Sequence, residues 1–549
     1  MVQNLPAGQS HARDNFRNQN RTTVDGLEEM LFASGYFLLV IYPLILIVFL
    51  MLQKTSLGSL SLGWLALSSI LLYAWWDPVS LPLLLASMMG NYALGNQIIR
   101  VPEPAQQRKT IFLMLGITLN LLALAYYKYL AFLANIAHPL LGFSHETPAT
   151  PIPLGISFLT FLQIAYLVDV SRHTGVRTSF LYYSVFVTFF PKVIAGPITR
   201  LEQFFPQLHA LEHPLHSTTL QVAEGVTVFA IGLFKKMVLA DPIGLIADPI
   251  FGRLSDGTNI SGMEAWIGVL AYTFQLYFDF SGYTDMAIGL ARSFGICLPE
   301  NFNSPYQATS IIDFWRRWHI TFSSFLRDFL YIPLGGNRKG LLRQHANLFI
   351  TMVLGGLWHG ANWTFVIWGA LHGAYLSVNH LWEKTSIVCP SWISRALTFF
   401  CVVFAWGWFR VDSIDGGQRL CRSLAGLNGV MPEGTNLAMF IKALETPAPS
   451  YDFLSSVFHD MGFAVSLGRW TIYPIDVLLS DVMLTIDLFA AAAIISFFCP
   501  ATDSWVKSQG QLGRPWFTPG RAFVVGLLFY AAFVASIHAH QGSFIYRQF

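Results

Sequence analysis

Along this 549-residue chain the apolar residues gather into long runs instead of alternating with polar ones. The runs Tyr36 to Leu52, Leu60 to Trp76, Ile111 to Ala134, Val222 to Leu239, Phe399 to Phe409, Leu484 to Phe498 and Phe523 to Ile537 predict helices that span or partly span a bilayer. A full span takes about 20 residues. Apolar runs alternate with short basic connectors at Arg100 to Lys109, Arg172 to Arg177 and Arg338 to Arg343, and with Lys235 to Lys236 near the end of the fourth run. From Val411 to about Ser480 the apolar runs shorten and glycine, proline and polar residues thicken (Asp415-Gly-Gly, Pro432-Glu-Gly, Pro447-Ala-Pro), which predicts an extramembrane loop region with short helices. The chain therefore divides into a polar N-terminal tail (1–35), a transmembrane core (36–410), that loop region (411–480) and C-terminal transmembrane helices with a polar-aromatic tail (481–549).

Composition strengthens the membrane reading. Residues are 54% hydrophobic and only 12% charged, with a mean hydropathy of +0.50, against about 25% charged in soluble domains. The lipid bilayer is the first partner. With 33 basic against 31 acidic residues there is no clustered positive footprint for nucleic acid. The five cysteines (Cys297, Cys389, Cys401, Cys421, Cys499) are odd in number and scattered, as expected of buried small hydrophobes and not of disulfides or a metal cage. Arg13, Arg17 and Arg21 precede the first apolar run, and no small-residue cleavage pattern follows it, so a retained helix with a tail is expected. Those arginines favour a cytoplasmic N-terminus, while Asp14, Asp25, Glu28 and Glu29 weigh against it.

Ionisable residues inside a membrane are costly, about 2.5 to 3.5 kcal/mol for a central Arg or Lys, and so point to function. They concentrate between Asp313 and Gly373. Read as one helix, Asp313 to Gly336 places Phe314, Trp318, Phe322, Phe325 and Phe329 on one face and Arg316, His319, Ser323 and Arg327 on a polar stripe. One reading is an interfacial helix anchored by arginines. The other is a site in which Arg316 lies one turn from a neutral His319, and Arg316, Arg317 and Arg327 receive an anionic donor. Downstream, Gly356-Leu-Trp358-His359-Gly360 and Gly369-Ala-Leu-His372-Gly373 repeat a small-xxx-small pentad with a histidine before the second glycine. Paired glycines are expected to let helices approach closely in lipid. Thirteen residues of helix turn about 220° beyond whole turns, so His359 and His372 cannot share a face of one uninterrupted helix. One of them at most is expected to react. A histidine in a dry site suits proton removal from a hydroxyl that attacks an activated acyl group, and a second histidine, Asn362 or tryptophan N–H groups are candidates to stabilise the oxyanion.

Seven motifs then carry a resemblance. Pro153-Leu-Gly-Ile-Ser-Phe, Phe190-Pro-Lys-Val-Ile-Ala-Gly-Pro-Ile198, Tyr277-Phe-Asp-Phe-Ser-Gly-Tyr-Thr-Asp285-Met-Ala, Leu298-Pro-Glu-Asn-Phe-Asn303, Phe314-Trp-Arg-Arg-Trp318-His319-Ile-Thr, Leu334-Gly-Gly-Asn-Arg-Lys-Gly340 and Gly355-Gly-Leu-Trp-His359-Gly occur in the order seen in membrane-bound O-acyltransferases. The chain resembles the bacterial branch that acetylates alginate, other exopolysaccharides or peptidoglycan, from about Pro153 to Arg410. The resemblance implies an all-α polytopic membrane protein, a bundle of about 11 to 13 transmembrane helices with re-entrant helices around a tunnel. It implies His359 as the main catalytic residue and His319 as the second histidine, with His372 left to packing or support. It also implies residence in the bacterial inner membrane, a cytoplasmic thioester donor such as acetyl-coenzyme A, and no bound cofactor. The acyl group would leave on the far side to a separate extracytoplasmic transferase of the SGNH type or similar, which modifies the polysaccharide.

The C-terminal Phe544-Ile-Tyr546-Arg547-Gln-Phe549 resembles a Phe-Ile-Tyr-Phe-Gln-Phe tail whose tyrosine is a proposed acyl relay, with Arg547 in place of phenylalanine; an interfacial anchor is the other reading. Donor phosphates would meet Arg316, Arg317, Arg338 or Lys339. Asp279 and Asp285 either line the tunnel or pair with Arg292, Arg316 or Arg317. Trp318, Ser323, Arg327, Trp358 and Asn362 complete the expected donor-binding or tunnel lining. His209, His213 and His216 have helical ligand spacing, but Pro214 interrupts them, and no metal is assigned. Nor is there a serine-hydrolase elbow or phosphate loop. Two other functions fit the pattern: transfer of D-alanine from a carrier protein, and a transporter, because charged and interrupted helices also build substrate pathways.

Overall fold

The computed structural model describes residues 32–54, 58–102, 105–141, 151–172, 179–213, 218–385, 387–431, 481–511 and 518–538. These form helices α1 (Tyr42–Gln53), α2 (Gly58–Trp76), α3 (Leu81–Arg100), α4 (Gln106–Leu124), α5 (Leu130–Leu141), α6 (Ile156–Arg172), α7 (Phe180–Thr188), α8 (Phe190–Val193), α9 (Leu201–Ala210), α10 (Thr218–Phe234) and α11 (Asp241–Ser255). They continue as α12 (Gly262–Ser293), α13 (Ile311–Arg317), α14 (Ile320–Leu326), α15 (Leu341–His359), α16 (Trp363–Trp382), α17 (Ser391–Arg410), α18 (Ile414–Leu424), α19 (Asp481–Phe498), α20 (Thr502–Gln511) and α21 (Pro519–His538). No strand occurs among the described residues. The protein is an all-α polytopic membrane protein. Gly58–Trp76, Gln106–Ala137, Ser391–Arg410 and Pro519–Ile537 are each long and apolar enough to cross a membrane.

A 32-residue helix, α12, is the axis of the fold and is buried along most of its length. Its N-terminus is set by a capping box: Ser261 Oγ accepts from the Glu264 backbone N–H while Glu264 accepts from the Ser261 backbone N–H at 2.8 Å. Helix α10 lies against α12 through glycines. A Cβ on Gly289 would fall 2.5 Å from the Gly225 carbonyl oxygen, and one on Gly282 2.7 Å from that of Gly232. Such contact lets dispersion and backbone dipoles act where lipid offers no hydrophobic drive between helices. Ion pairs also gather around α12. Lys235 pairs with Asp285 at 2.6 Å, Lys236 with Asp241 at 2.6 Å and Asp279 at 2.8 Å, and Arg292 with Asp503 at 2.5 Å. The expected arginine partners of Asp279 and Asp285 are thus replaced by lysines of a π-helical turn, Lys235–Ala240, that follows α10.

Helix α3 falls outside the apolar runs because Asn91 and Asn96 interrupt its pattern. The structure satisfies the first of them internally, since Asn120 of α4 donates to Asn91 at 2.7 Å. Within 411–431 the short helix α18 is capped by Ser413, whose Oγ accepts from Gly416 N–H at 3.1 Å. The cysteines are free, as expected, but not buried: Cys297 is exposed and the other four are half-buried.

Candidate active site

Two breaks in helical structure build the site. The first separates α13 from α14 at Trp318–His319, where one helix is expected. His319 takes a left-handed conformation (φ 43°, ψ 54°) at a cost of roughly 1–2 kcal/mol. The cause is tertiary. Ile320 N–H donates to the Asn301 carbonyl at 3.0 Å, Asn303 N–H to the Arg317 carbonyl at 2.9 Å, and Thr321 N–H and Oγ1 to Asn301 Oδ1 at 3.2 and 2.9 Å. The Leu298–Asn303 motif thereby takes over hydrogen bonds that an unbroken helix would make with itself. The break also dissolves the polar stripe. His319 is fully buried while Arg316 is exposed, Arg317 binds Asp313 at 2.8 Å and Arg327 binds Asp328 at 2.8 Å.

Asn301 Oδ1 also lies 3.1 Å from His319 Nδ1. Because that oxygen must accept from the Thr321 backbone N–H, its identity as oxygen is fixed, and His319 Nδ1 carries the hydrogen. The lone pair of the imidazole is then on Nε2.

The second break ends α15 on His359 and starts α16 after Gly360-Ala-Asn362. The run is not one uninterrupted helix, so the rotation that would separate His359 from His372 does not apply. The antiparallel return brings both against Trp368, at ring separations of 5.2 Å for His359 and 4.7 Å for His372. The pentad glycines pack as expected: a Cβ on Gly356 would lie 3.2 Å from Gly369 Cα. Asn362 caps α16, accepting from Thr364 N–H at 3.2 Å, and donates to the Asp412 carbonyl at 2.6 Å. Its amide therefore serves the turn.

His319 and His359 are brought together across one aromatic wall. Phe322 lies 4.9 Å from the His319 ring and 5.2 Å from that of His359, and Trp358 lies 6.4 and 5.0 Å from them. Phe280 of α12 closes on His319 at 4.7 Å, and Phe409 of α17 on His359 at 5.2 Å. His359 is 2% exposed. The indole N–H groups of Trp358 and Trp368 are buried with no hydrogen-bond partner among the described residues, so both are available to a bound carbonyl oxygen. His372 is held differently: its Nδ1 accepts from Trp315 Nε1–H at 3.2 Å.

Of the other expected residues, Trp318 stacks on Tyr306 and Phe314 in the core, Ser323 is half-buried, and Asp279 and Asp285 are engaged with lysines. Arg338 and Lys339 are exposed on the turn before α15. Tyr546 lies outside the described residues. Asn301, Trp368, Phe409 and Lys128 join the site without having been singled out by the pattern; for Lys128 the signal is a lone cation inside the Ile111 to Ala134 run.

Comparison with known proteins adds to this geometry. Residues 159–409 match the model of the MBOAT, membrane-bound O-acyltransferase, family. A peptidoglycan O-acetyltransferase of Helicobacter pylori is 38% identical over 431 residues, covering 73% of this chain and 81% of that protein. A probable alginate O-acetylase of Azotobacter vinelandii is 40% identical over 400 residues, 71% of this chain and 77% of its own. A teichoic acid D-alanyltransferase of Bacillus subtilis is 28% identical over 251 residues, 44% of this chain and 62% of its own.

Proposed function

This chain belongs to the membrane-bound O-acyltransferase family and is an acyltransferase, and from that premise we propose that it moves an acetyl group from cytoplasmic acetyl-coenzyme A across the bacterial inner membrane for O-acetylation of an extracytoplasmic polysaccharide. The observation that carries the reading is the burial of His319 and His359 on the shared Phe322–Trp358 wall. In the step proposed, a histidine lone pair takes the proton from an attacking hydroxyl, whose oxygen bonds to the acyl carbon. The Trp358 and Trp368 N–H groups meet the developing oxyanion. The C–S bond then breaks, and the departing thiolate takes the proton back from the imidazolium. His359 is the principal base and His319, oriented by Asn301, the second. Exposed Arg316, Arg338 and Lys339 suit the donor's phosphates at the cytoplasmic face.

The acceptor of the transported group is a separate extracytoplasmic transferase. Acetyl is preferred over D-alanyl because the O-acetylating relatives match at higher identity over more of the chain. Inverted membrane vesicles supplied with radiolabelled acetyl-coenzyme A or with D-alanyl carrier protein test the donor. Base-labile label from acetyl-coenzyme A, lost in His359→Ala, supports the reading; label from the D-alanyl carrier alone overturns it.

A further inference from the structure

We infer that Lys128 is a positioning residue for His359, acting through the end of the helix that carries it; this rests on the acyl-transfer reading above. His359 is the last residue of α15. The final carbonyls of a helix have no partners within it, so the direction of a terminal side chain depends on what holds them. Here the Gly360 N–H reaches the Gly356 carbonyl only at 3.4 Å. The next two carbonyls are held from another element. Tyr129 Oη–H donates to the Leu357 carbonyl at 2.7 Å, and Lys128 Nζ donates to the Trp358 carbonyl at 2.5 Å. Consecutive residues thus address consecutive carbonyls immediately before the histidine.

The element that supplies them is shaped for the task. Ala125–Tyr129 is a π-helical turn between α4 and α5, a local widening common at functional sites. A lysine in a membrane helix ordinarily extends to the interface, but Lys128 turns inward and is 7% exposed. Its amino group also donates to Ser157 Oγ at 3.0 Å, which joins the Pro153–Phe158 motif to the catalytic helix. It lies 5.7 Å from the centre of the Trp358 ring, so the same group contacts both the carbonyl and the indole of the residue next to His359. An amino group at a helix C-terminus further complements its partial negative charge.

The test uses the full chain in inverted vesicles, reading thiol release from acetyl-coenzyme A in the wild type and in Lys128→Met, Lys128→Ala, Tyr129→Phe and His359→Ala at matched membrane abundance. Misplacing a catalytic group by about 1 Å costs up to about 100-fold, so Lys128→Met is expected to lower kcat by about 10- to 100-fold. KM for the donor stays within about twofold, because donor contacts are untouched. Propylamine, which replaces the atoms lost in Lys128→Ala, is expected to restore a measurable part of that variant's kcat without raising the wild type. Should Lys128→Met fail to reach the membrane, Lys128→Ala with propylamine and Tyr129→Phe carry the same test, the latter with a lowered kcat at unchanged KM. Wild-type kcat in the Lys128 variants, or a loss that propylamine leaves unchanged, overturns the inference while a dead His359→Ala leaves the acyl-transfer reading standing. Wild-type thiol release by His359→Ala overturns that reading and this inference together.

Discussion

At the scale of single residues, the site separates histidines by the nitrogen they present. His319 donates through Nδ1 to Asn301, whereas His372 accepts through Nδ1 from Trp315. Asn301→Ala removes the acceptor for Thr321 N–H as well as for His319, leaving buried donors unpaired at about 1–3 kcal/mol each. Thermal unfolding of the detergent-solubilised protein should report that loss, and acyl transfer should fall beyond what reduced abundance explains. His372→Phe keeps the ring contact with Trp368 but strands the Trp315 N–H, so it is expected to cost about 1–3 kcal/mol of stability and leave acyl transfer per folded molecule near wild type. Loss of turnover at unchanged stability would give His372 a catalytic part. His359, His319 and Trp358 are legible in the sequence because ionisable and aromatic residues stand out in apolar runs. Asn301 and Lys128 act through backbone and side-chain contacts made 18 residues or more away, which spacing along the chain does not encode.

Among elements, the two interrupted helices matter most. Periodicity alone carries a helix from Asp313 through Trp318–His319 without a break, because no proline or glycine occurs between Asp313 and Ile332. The break comes from Asn301 and Asn303, whose bonds to residues 317–321 compete with the helical ladder and win. The second break has a local signal, Asn362 before Trp363-Thr364, which is an N-cap pattern. Helices α15 and α16 meet through glycines with no room for a side chain, so Gly356→Val drives a side chain into the Phe365 carbonyl. Overpacking of this kind costs about 1–3 kcal/mol or more. The variant is expected to accumulate poorly in membranes, measured by quantitative immunoblotting, and to transfer little acyl group. Full abundance with full activity would show that the two helices are free to separate.

At the scale of the whole molecule, buried charge joins the catalytic core to the C-terminal helices. Thr502 Oγ1 donates to Asp285 at 2.7 Å, Lys235 Nζ donates to Thr502 Oγ1 at 2.8 Å, and Arg292 holds Asp503. Removing one partner of a buried pair leaves an uncompensated charge, so Asp285→Leu alone is expected to lower stability by about 3–5 kcal/mol, and adding Lys235→Met to recover most of it. Thermal unfolding of the single and double variants in detergent checks this; equal losses would place the stabilisation elsewhere. The apolar runs foretold the all-α membrane class, while this network depends on which helices meet and is visible only in the folded chain. Acyl transfer at His359 is the step on which the proposed function depends. Its most direct test is the ester-linked acetate released by base from envelope polysaccharides of cells carrying the wild-type chain, His359→Ala at matched membrane abundance, or no chain. Acetate in the His359→Ala cells at the level of cells without the chain is the predicted result; acetate at the wild-type level would contradict it.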